Sequence, residues 1–215
     1  LYAYESAIGG IAMDRDSFNL EERDNNPFAM PDAVAALKIK KYADRKLEEC
    51  NSMGGIIECV VKNMPAGIGE PVFDKLDANL AKAIMSIGAV KGVEIGDGFA
   101  AADSTGLENN DAFRMKDGHI VKQTNHAGGI LGGMSDGSDI ILRAAVKPTP
   151  SIAATQHTVS KAGEEIDISI HGRHDPMIVP RAVVVVEAMT AITLVDMLFM
   201  GMMSRLDRIA DFYKR

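Results

Sequence analysis

The sequence predicts an α+β fold rich in antiparallel sheet, and three observations predict it. Stretches that alternate polar and apolar residues recur along the 215-residue chain, and such alternation marks half-buried strands. The stretches are joined mostly by turn signals, Gly9-Gly10 and Asp117-Gly118 among them, which favour hairpins. Helical periodicity appears in only three places, too irregularly for the repeated strand–helix alternation of a doubly wound fold.

Taken in order, residues 1–13 alternate and end in Gly9-Gly10, a strand closed by a turn or bulge. Residues 14–30 are polar and broken by Asn25-Asn26-Pro27, a loop or partly formed segment. Pro31-Asp32 opens a helix to about Asn51, amphipathic through Val34, Leu37, Tyr42 and Leu47 and stopped by Gly54-Gly55. Ile56 to Lys62 is a strand, 65–71 a turn-rich loop, and 72–87 a second helix. A short strand at Gly92–Ile95 precedes a Gly/Asp/Asn-rich stretch, 96–111, with the character of an active-site loop. Phe113–Lys116 and His119–Gln123 flank Asp117-Gly118 as a hairpin, and a glycine loop, 125–137, leads to a strand at Ile140–Val146. A proline-broken segment, 147–151, a strand at 164–171 and a long apolar helix from Pro180 complete the chain. No internal repeat or low-complexity tract stands out.

The length suffices for one large domain or two small ones. A net charge of −7 leaves no basic excess to displace counterions, against binding to nucleic acid or an anionic membrane. The apolar fraction of 47% suits a soluble globular protein that gathers a few Lys and Arg at one small-molecule site. Residues 182–203 are long enough to span a bilayer. Glu187 and Asp196, nine residues apart, fall on opposite faces of that helix, so it reads as the core helix of a soluble protein covered by other layers. Cys50 and Cys59 make neither a disulfide framework nor a zinc site and read as reduced, buried cysteines of a cytoplasmic protein. No charged-then-apolar leader is visible, and Leu1 stands inside a strand pattern, which suggests a piece of a longer protein.

Three stretches carry chemistry. Gly172-Arg173-His174-Asp175-Pro176 sets three ionic side chains at a corner between a strand and a helix, although a surface turn with an internal Arg–Asp pair accounts for the residues equally. The loop 125–133 places two Gly pairs four residues apart, which is neither a dinucleotide fingerprint nor a P-loop; tight packing explains it as well as a ligand does. Lys147-Pro148-Thr149-Pro150-Ser151 offers a cation and two hydroxyls on a stiff backbone, suited to an anionic or heteroaromatic edge, or to a plain strand ending. A metal hydrolase built on His171, His174 and Asp175 is disfavoured because the spacing crosses a Gly and no further ligand follows.

The stretches 67–78, 90–99, 125–133, 147–151 and 172–176 occur in one order, followed by Pro-Arg-Ala-Val at 180–183 and Glu-Ala-Met at 187–189. In this combination the chain resembles the chorismate synthases over nearly its whole length. The resemblance implies a β-α-β sandwich with helices packed between antiparallel sheets, and a homotetramer. It implies a lyase that uses reduced FMN for the 1,4-anti elimination of phosphate from 5-enolpyruvylshikimate 3-phosphate, giving chorismate. Whether such a protein reduces its own flavin with NADPH or takes it reduced is left open. By motif, the flavin contacts would be Gly88, Ala89, Gly132, Lys147, Pro148, Thr149, Pro150, Ser151 and Arg173. Asn125 and Arg173 would face the substrate, and Asp175 would be the catalytic aspartate beside the flavin, with His174 supporting it. Leu107, Asp136 and Met177 depart from the common pattern at positions without assigned chemistry. Members of the family also carry an N-terminal portion holding two general-acid histidines and several substrate-clamping arginines, which these 215 residues do not include. The expectation is a C-terminal portion of a single domain, inactive alone; the alternative is a non-catalytic flavin-binding or assembly module.

Overall fold

A computed structural model describes residues 1–170, 172 and 175–214. The order is β1 (Tyr2–Ile8), β2 (Ile11–Ala12), 3-10 turns at Arg15–Ser17 and Leu20–Asn25, α1 (Ala33–Glu48), β3 (Gly55–Val61), α2 (Leu76–Met85) and β4 (Val90–Ile95). A 3-10 turn at Gly98–Asp103 follows, then β5 (Phe113–Lys116), β6 (His119–Lys122), β7 (Ile130–Leu131), β8 (Met134–Ser135) and β9 (Ile140–Val146). β10 (Gln156–Val159), β11 (Glu165–Ile168), α3 (Val179–Met203) and α4 (Leu206–Tyr213) end the chain. A five-stranded sheet runs β2-β1-β3-β9-β4, and β5-β6, β7-β8 and β10-β11 are antiparallel hairpins. This is the expected α+β class.

The chain divides into two compact units, and β1, β3 and β9 each pass from one to the other. One comprises residues 1–3, 58–144 and 184–215; the other comprises 4–57 and 145–183. In the first, Leu76, Leu80 and Ile84 of α2 and Ile140, Leu142 and Ala144 of β9 are fully buried. In the second the core is Tyr4, Ile8, Met30, Ile39, Ile57 and Val179.

Asp32 caps α1 as its sequence position foretold, accepting from the N–H groups of Val34 (2.9 Å) and Ala35 (3.0 Å). The apolar stripe is corrected. Ala35, Ala36, Ile39 and Ala43 form the buried seam, while Val34, Leu37 and Leu47 are exposed. Small alanines let a helix approach its neighbour closely, so side-chain size outweighed apolar character in choosing the face. Helix α2 begins at Leu76 and not at 72, because the Leu76 N–H donates to the Gly133 carbonyl (2.7 Å) and Phe73 sits at φ 60. Strand β11 is shorter than expected, and its partner β10 carried no sequence signal strong enough to be read. The thiols differ: Cys59 is buried, which pushes its thiol up to about 12, whereas Cys50 is exposed, contrary to expectation.

Helix α3 corrects a second expectation. It is buried along one seam, Val183, Val186, Thr190, Leu194 and Met197, while Val184, Ile192, Val195, Phe199 and Met203 are exposed. By length and composition it could cross a membrane, with 28% of its most apolar window buried. The described residues cover one face of it and leave the other bare. Glu187 has a use at this seam: its carboxylate accepts the N–H of Ala3 (3.3 Å) at the start of β1.

Glu5, on β1, is fully buried, and neither carboxyl oxygen has a hydrogen-bond partner among the described residues. Burial holds its carboxyl well above the ordinary value of 4.5. A raised carboxyl favours folding fully below the unfolded value, and that contribution is lost as pH rises towards the folded one. The chain is therefore expected to lose up to about 1.4 kcal/mol of stability per pH unit from this residue as pH rises from the unfolded value to the folded one. Glu5→Gln should remove that slope; urea melts from pH 4 to 9 with parallel slopes in both proteins would contradict it.

Candidate functional site

The expected contacts fall in both units, and each group is described within its own. In the unit holding residues 58–144, the glycine loop is tied down by its neighbours. The side chain of Asn125 accepts the Gly129 N–H (2.8 Å) and donates to the Asp139 carbonyl (2.8 Å), so it braces the loop from inside. A Cβ on Gly129 would lie 2.5 Å from the Asp139 carbonyl oxygen, one on Gly133 2.5 Å from that of Glu70, and one on Gly128 2.5 Å from the Gly96 Cα. These three are glycines because backbone presses on them.

Gly132 is different. Its φ is 59, it is exposed, and a Cβ there would meet nothing within 4 Å. Space at the tip of a braced loop suits a ligand, and of the four glycines only this one offers it. The Gly88-Ala89 turn has the same character: Gly88 faces open space, and Ala89 holds φ 72, unusual for a residue with a Cβ.

Beneath the loop lies an ion cluster that sequence reading missed. Lys122 Nζ binds the Asp136 carboxylate and lies 3.6 Å from Asp111, with side-chain exposures of 4%, 9% and 4% respectively. Asp111 also accepts from the Thr124 hydroxyl (2.8 Å) and from the N–H groups of His126 (2.7 Å) and Ala127 (3.0 Å). Burial pushes the Asp111 carboxyl up, and these donors with Lys122 outweigh it, so it lies below the ordinary 3.8; Asp136 is lowered in the same way by Lys122 and Ser138. The signal was available: the β5–β6 register pairs Phe113 with Lys122, and continuing it sets Asp111 opposite Thr124. A cavity of about 510 Å³ opens here, lined in part by Lys122, Asn125, Asp136 and Ser138. On the loop's other flank, His126 Nδ1 lies 2.6 Å from Asp97 Oδ2.

In the other unit, the turn after α1 joins two expected segments. The Ser52 hydroxyl donates to the Thr149 carbonyl (2.6 Å), and the Met53 N–H donates to the Pro176 carbonyl (2.8 Å). A Cβ on Gly54 would strike the Val146 carbonyl, so glycine is required for this approach. Lys147, Pro148 and Pro150 are exposed, Thr149 and Ser151 half-buried. Lys147 has no acidic partner among the described residues, and the Thr149 Oγ1 is buried without a hydrogen-bond partner. A buried hydroxyl with nothing to bond beside an unpaired cation is what a polar cofactor edge would satisfy. Asp175 is exposed, paired with Arg181, and lines a cavity of about 260 Å³ with Cys50, Asn51 and Pro176. Arg173, expected to face both flavin and substrate, lies outside the described residues, as do His171 and His174. Ser52, Asn51 and Met53 were not foreseen, because a short polar turn after a helix carries no motif.

The family profile described as chorismate synthase matches residues 1–199. This chain belongs to the chorismate synthase family. Among its relatives is the chorismate synthase of Lachnospira eligens, 64% identical over 213 residues, which span 99% of this chain and 58% of that protein. That of Agathobacter rectalis is 63% identical over 212 residues with the same coverage. The archaeal protein of Archaeoglobus fulgidus is 53% identical over 206 residues, 94% of this chain and 57% of its own. A solved crystal structure of chorismate synthase superposes with a TM-score of 0.76 at 28% identity, covering 98% of this chain and 61% of that one. The chain thus spans about 58% of the length of the curated relatives it matches.

Proposed function

We propose that this chain works as the C-terminal portion of a single-domain, FMN-dependent chorismate synthase, a lyase that eliminates phosphate from 5-enolpyruvylshikimate 3-phosphate in a 1,4-anti sense to give chorismate. The observation that carries the reading is the 64% identity to a chorismate synthase over 213 residues. Features of the residues expected to contact flavin support it: Gly132 and Gly88 have room around them, Ala89 holds φ 72, and among the described residues the buried Thr149 hydroxyl has no hydrogen-bond partner and Lys147 no acidic one.

When bound, reduced FMN would supply electron density to the reacting system and help take up the departing proton. This chain's residues would supply part of the flavin and substrate pocket. Lys147, with Arg173, balances the negative charge of flavin and substrate. Thr149 and Ser151 donate hydrogen bonds from a backbone stiffened by Pro148 and Pro150. The carboxylate of Asp175, its direction set by Arg181, stands ready to relay a proton. Asn125 sets the loop at the substrate edge from within. In this proposal the working form is a soluble homotetramer.

An anaerobic titration of the 215-residue chain with reduced FMN, with and without the phosphorylated substrate, tests the reading. The chain contains no Trp, so the flavin signal is unobscured by indole. Saturable binding strengthened by substrate is expected, without turnover to chorismate. Absence of binding at millimolar flavin would sink the flavin reading of this chain.

A further inference from the structure

Lys122 is a buried cation that the flavin reading leaves without a task. It stands at one end of the segment 122–139, Asp136 stands near the other, and Asp111 enters from the strand edge before β5. Everything between them belongs to the glycine loop. Asp111 holds the loop's entrance through the His126 and Ala127 N–H groups, and Asp136 holds its exit through the Ser138 N–H (2.8 Å). The Asp136 N–H also donates to the Gly129 carbonyl (3.0 Å). One ammonium therefore joins the entrance clamp to the exit clamp across fourteen residues of chain.

We propose that Lys122 is a positioning residue, an ionic latch closing the base of the glycine loop and so fixing where Gly132 is presented. The proposal rests on the flavin reading for its consequence, not for the latch itself. With the ammonium removed, two buried carboxylates face each other without a cation, and separating them opens the loop at its base. The rest of the unit keeps its core, because the fully buried Leu80, Ile84 and Leu142 are not members of the ion cluster. Charge at this position should therefore govern the loop locally and leave the sheet untouched.

The test compares Lys122→Met, which keeps the length of the side chain, with Lys122→Arg, which keeps the charge. Hydrogen exchange is read at the amides of His126, Ala127, Gly129 and Ser138 and, as a control, in β3 and in α2 beyond its first turn, since the Leu76 N–H is itself bonded to Gly133 of the loop. The methionine variant should exchange about tenfold faster or more in the loop with the control amides unchanged, and the arginine variant should restore protection. Reduced-FMN affinity should weaken in parallel in the methionine variant. If Lys122→Met does not fold, Asp136→Asn, which keeps size and removes charge, gives the same readout. Unchanged loop exchange, or acceleration spread evenly through β3 and α2, would overturn the latch. Faster loop exchange with unaltered flavin affinity would overturn its link to the cofactor. A wild-type chain that binds no flavin sinks the flavin reading alone, and the exchange contrast still decides the latch.

Discussion

Gly96→Ala is expected to destabilise the chain by roughly 2–5 kcal/mol, the sum of overpacking and a left-handed backbone forced on a residue with a Cβ. The position has φ 59, and a Cβ there would strike the His126 carbonyl oxygen and lie 2.6 Å from the Gly128 nitrogen. Neither obstacle can rotate away, since both are backbone. The Gly96 N–H also donates to the Ile141 carbonyl (2.9 Å) and the Asp97 N–H to that of His126 (2.8 Å), so the strand cannot retreat without breaking its ladder. Gly132→Ala is the matched control: it has the same φ of 59 with nothing within 4 Å, and should cost only about 1–2 kcal/mol. Urea unfolding of the two variants measures the difference, and equal midpoints would show that the crowding around Gly96 contributes nothing.

The contrast between those two glycines shows where sequence reading stops. The pairs at 128–129 and 132–133 are chemically identical in the sequence, and their spacing says only that backbone must come close to something. Which of them meets protein and which faces open space depends on Gly96, Glu70 and Asp139, residues 10 to 63 positions away in the chain from the glycines they press on. Local signals fared better. Asp32 as a cap, the Asp117-Gly118 hairpin with φ 52 and 79, and β9 at Ile140–Val146 all appear where alternation and turn chemistry put them. The α1 face was misread because Val34 and Leu37 outrank alanine in apolarity while alanine wins in size. The open side of α3 was unreadable for another reason. A helix apolar on every side says it needs cover, and nothing in its own residues says which elements supply it. The lysine cluster lay within reach, since extending the hairpin register by two residues would have set Asp111 opposite Thr124.

The same cluster supports the other large effect. Asp111→Ala should cost about 3–5 kcal/mol, in the range found when one partner of a buried ion pair is removed. Four donors converge on this carboxylate: the Thr124 hydroxyl, the His126 and Ala127 N–H groups and, at 3.6 Å, Lys122. Alanine would leave the hydroxyl and the two N–H groups facing a void and Lys122 with Asp136 alone. Asp111→Asn separates charge from hydrogen bonding, because one amide oxygen can still accept while its NH2 meets donors, and it should lose nearly as much. The pH dependence gives a sharper check. Burial raises the Asp111 carboxyl, the converging donors and Lys122 together lower it by more, and the net folded value lies below the ordinary 3.8. A depressed carboxyl stabilises the fold above its unfolded value, and that contribution disappears as pH falls through the folded one. Wild type should therefore lead Asp111→Asn by its full margin at pH 6 to 7 and lose the lead below about pH 4. A constant gap from pH 7 to pH 3 would mean that the carboxylate's charge does no work there, and that shape alone holds the loop.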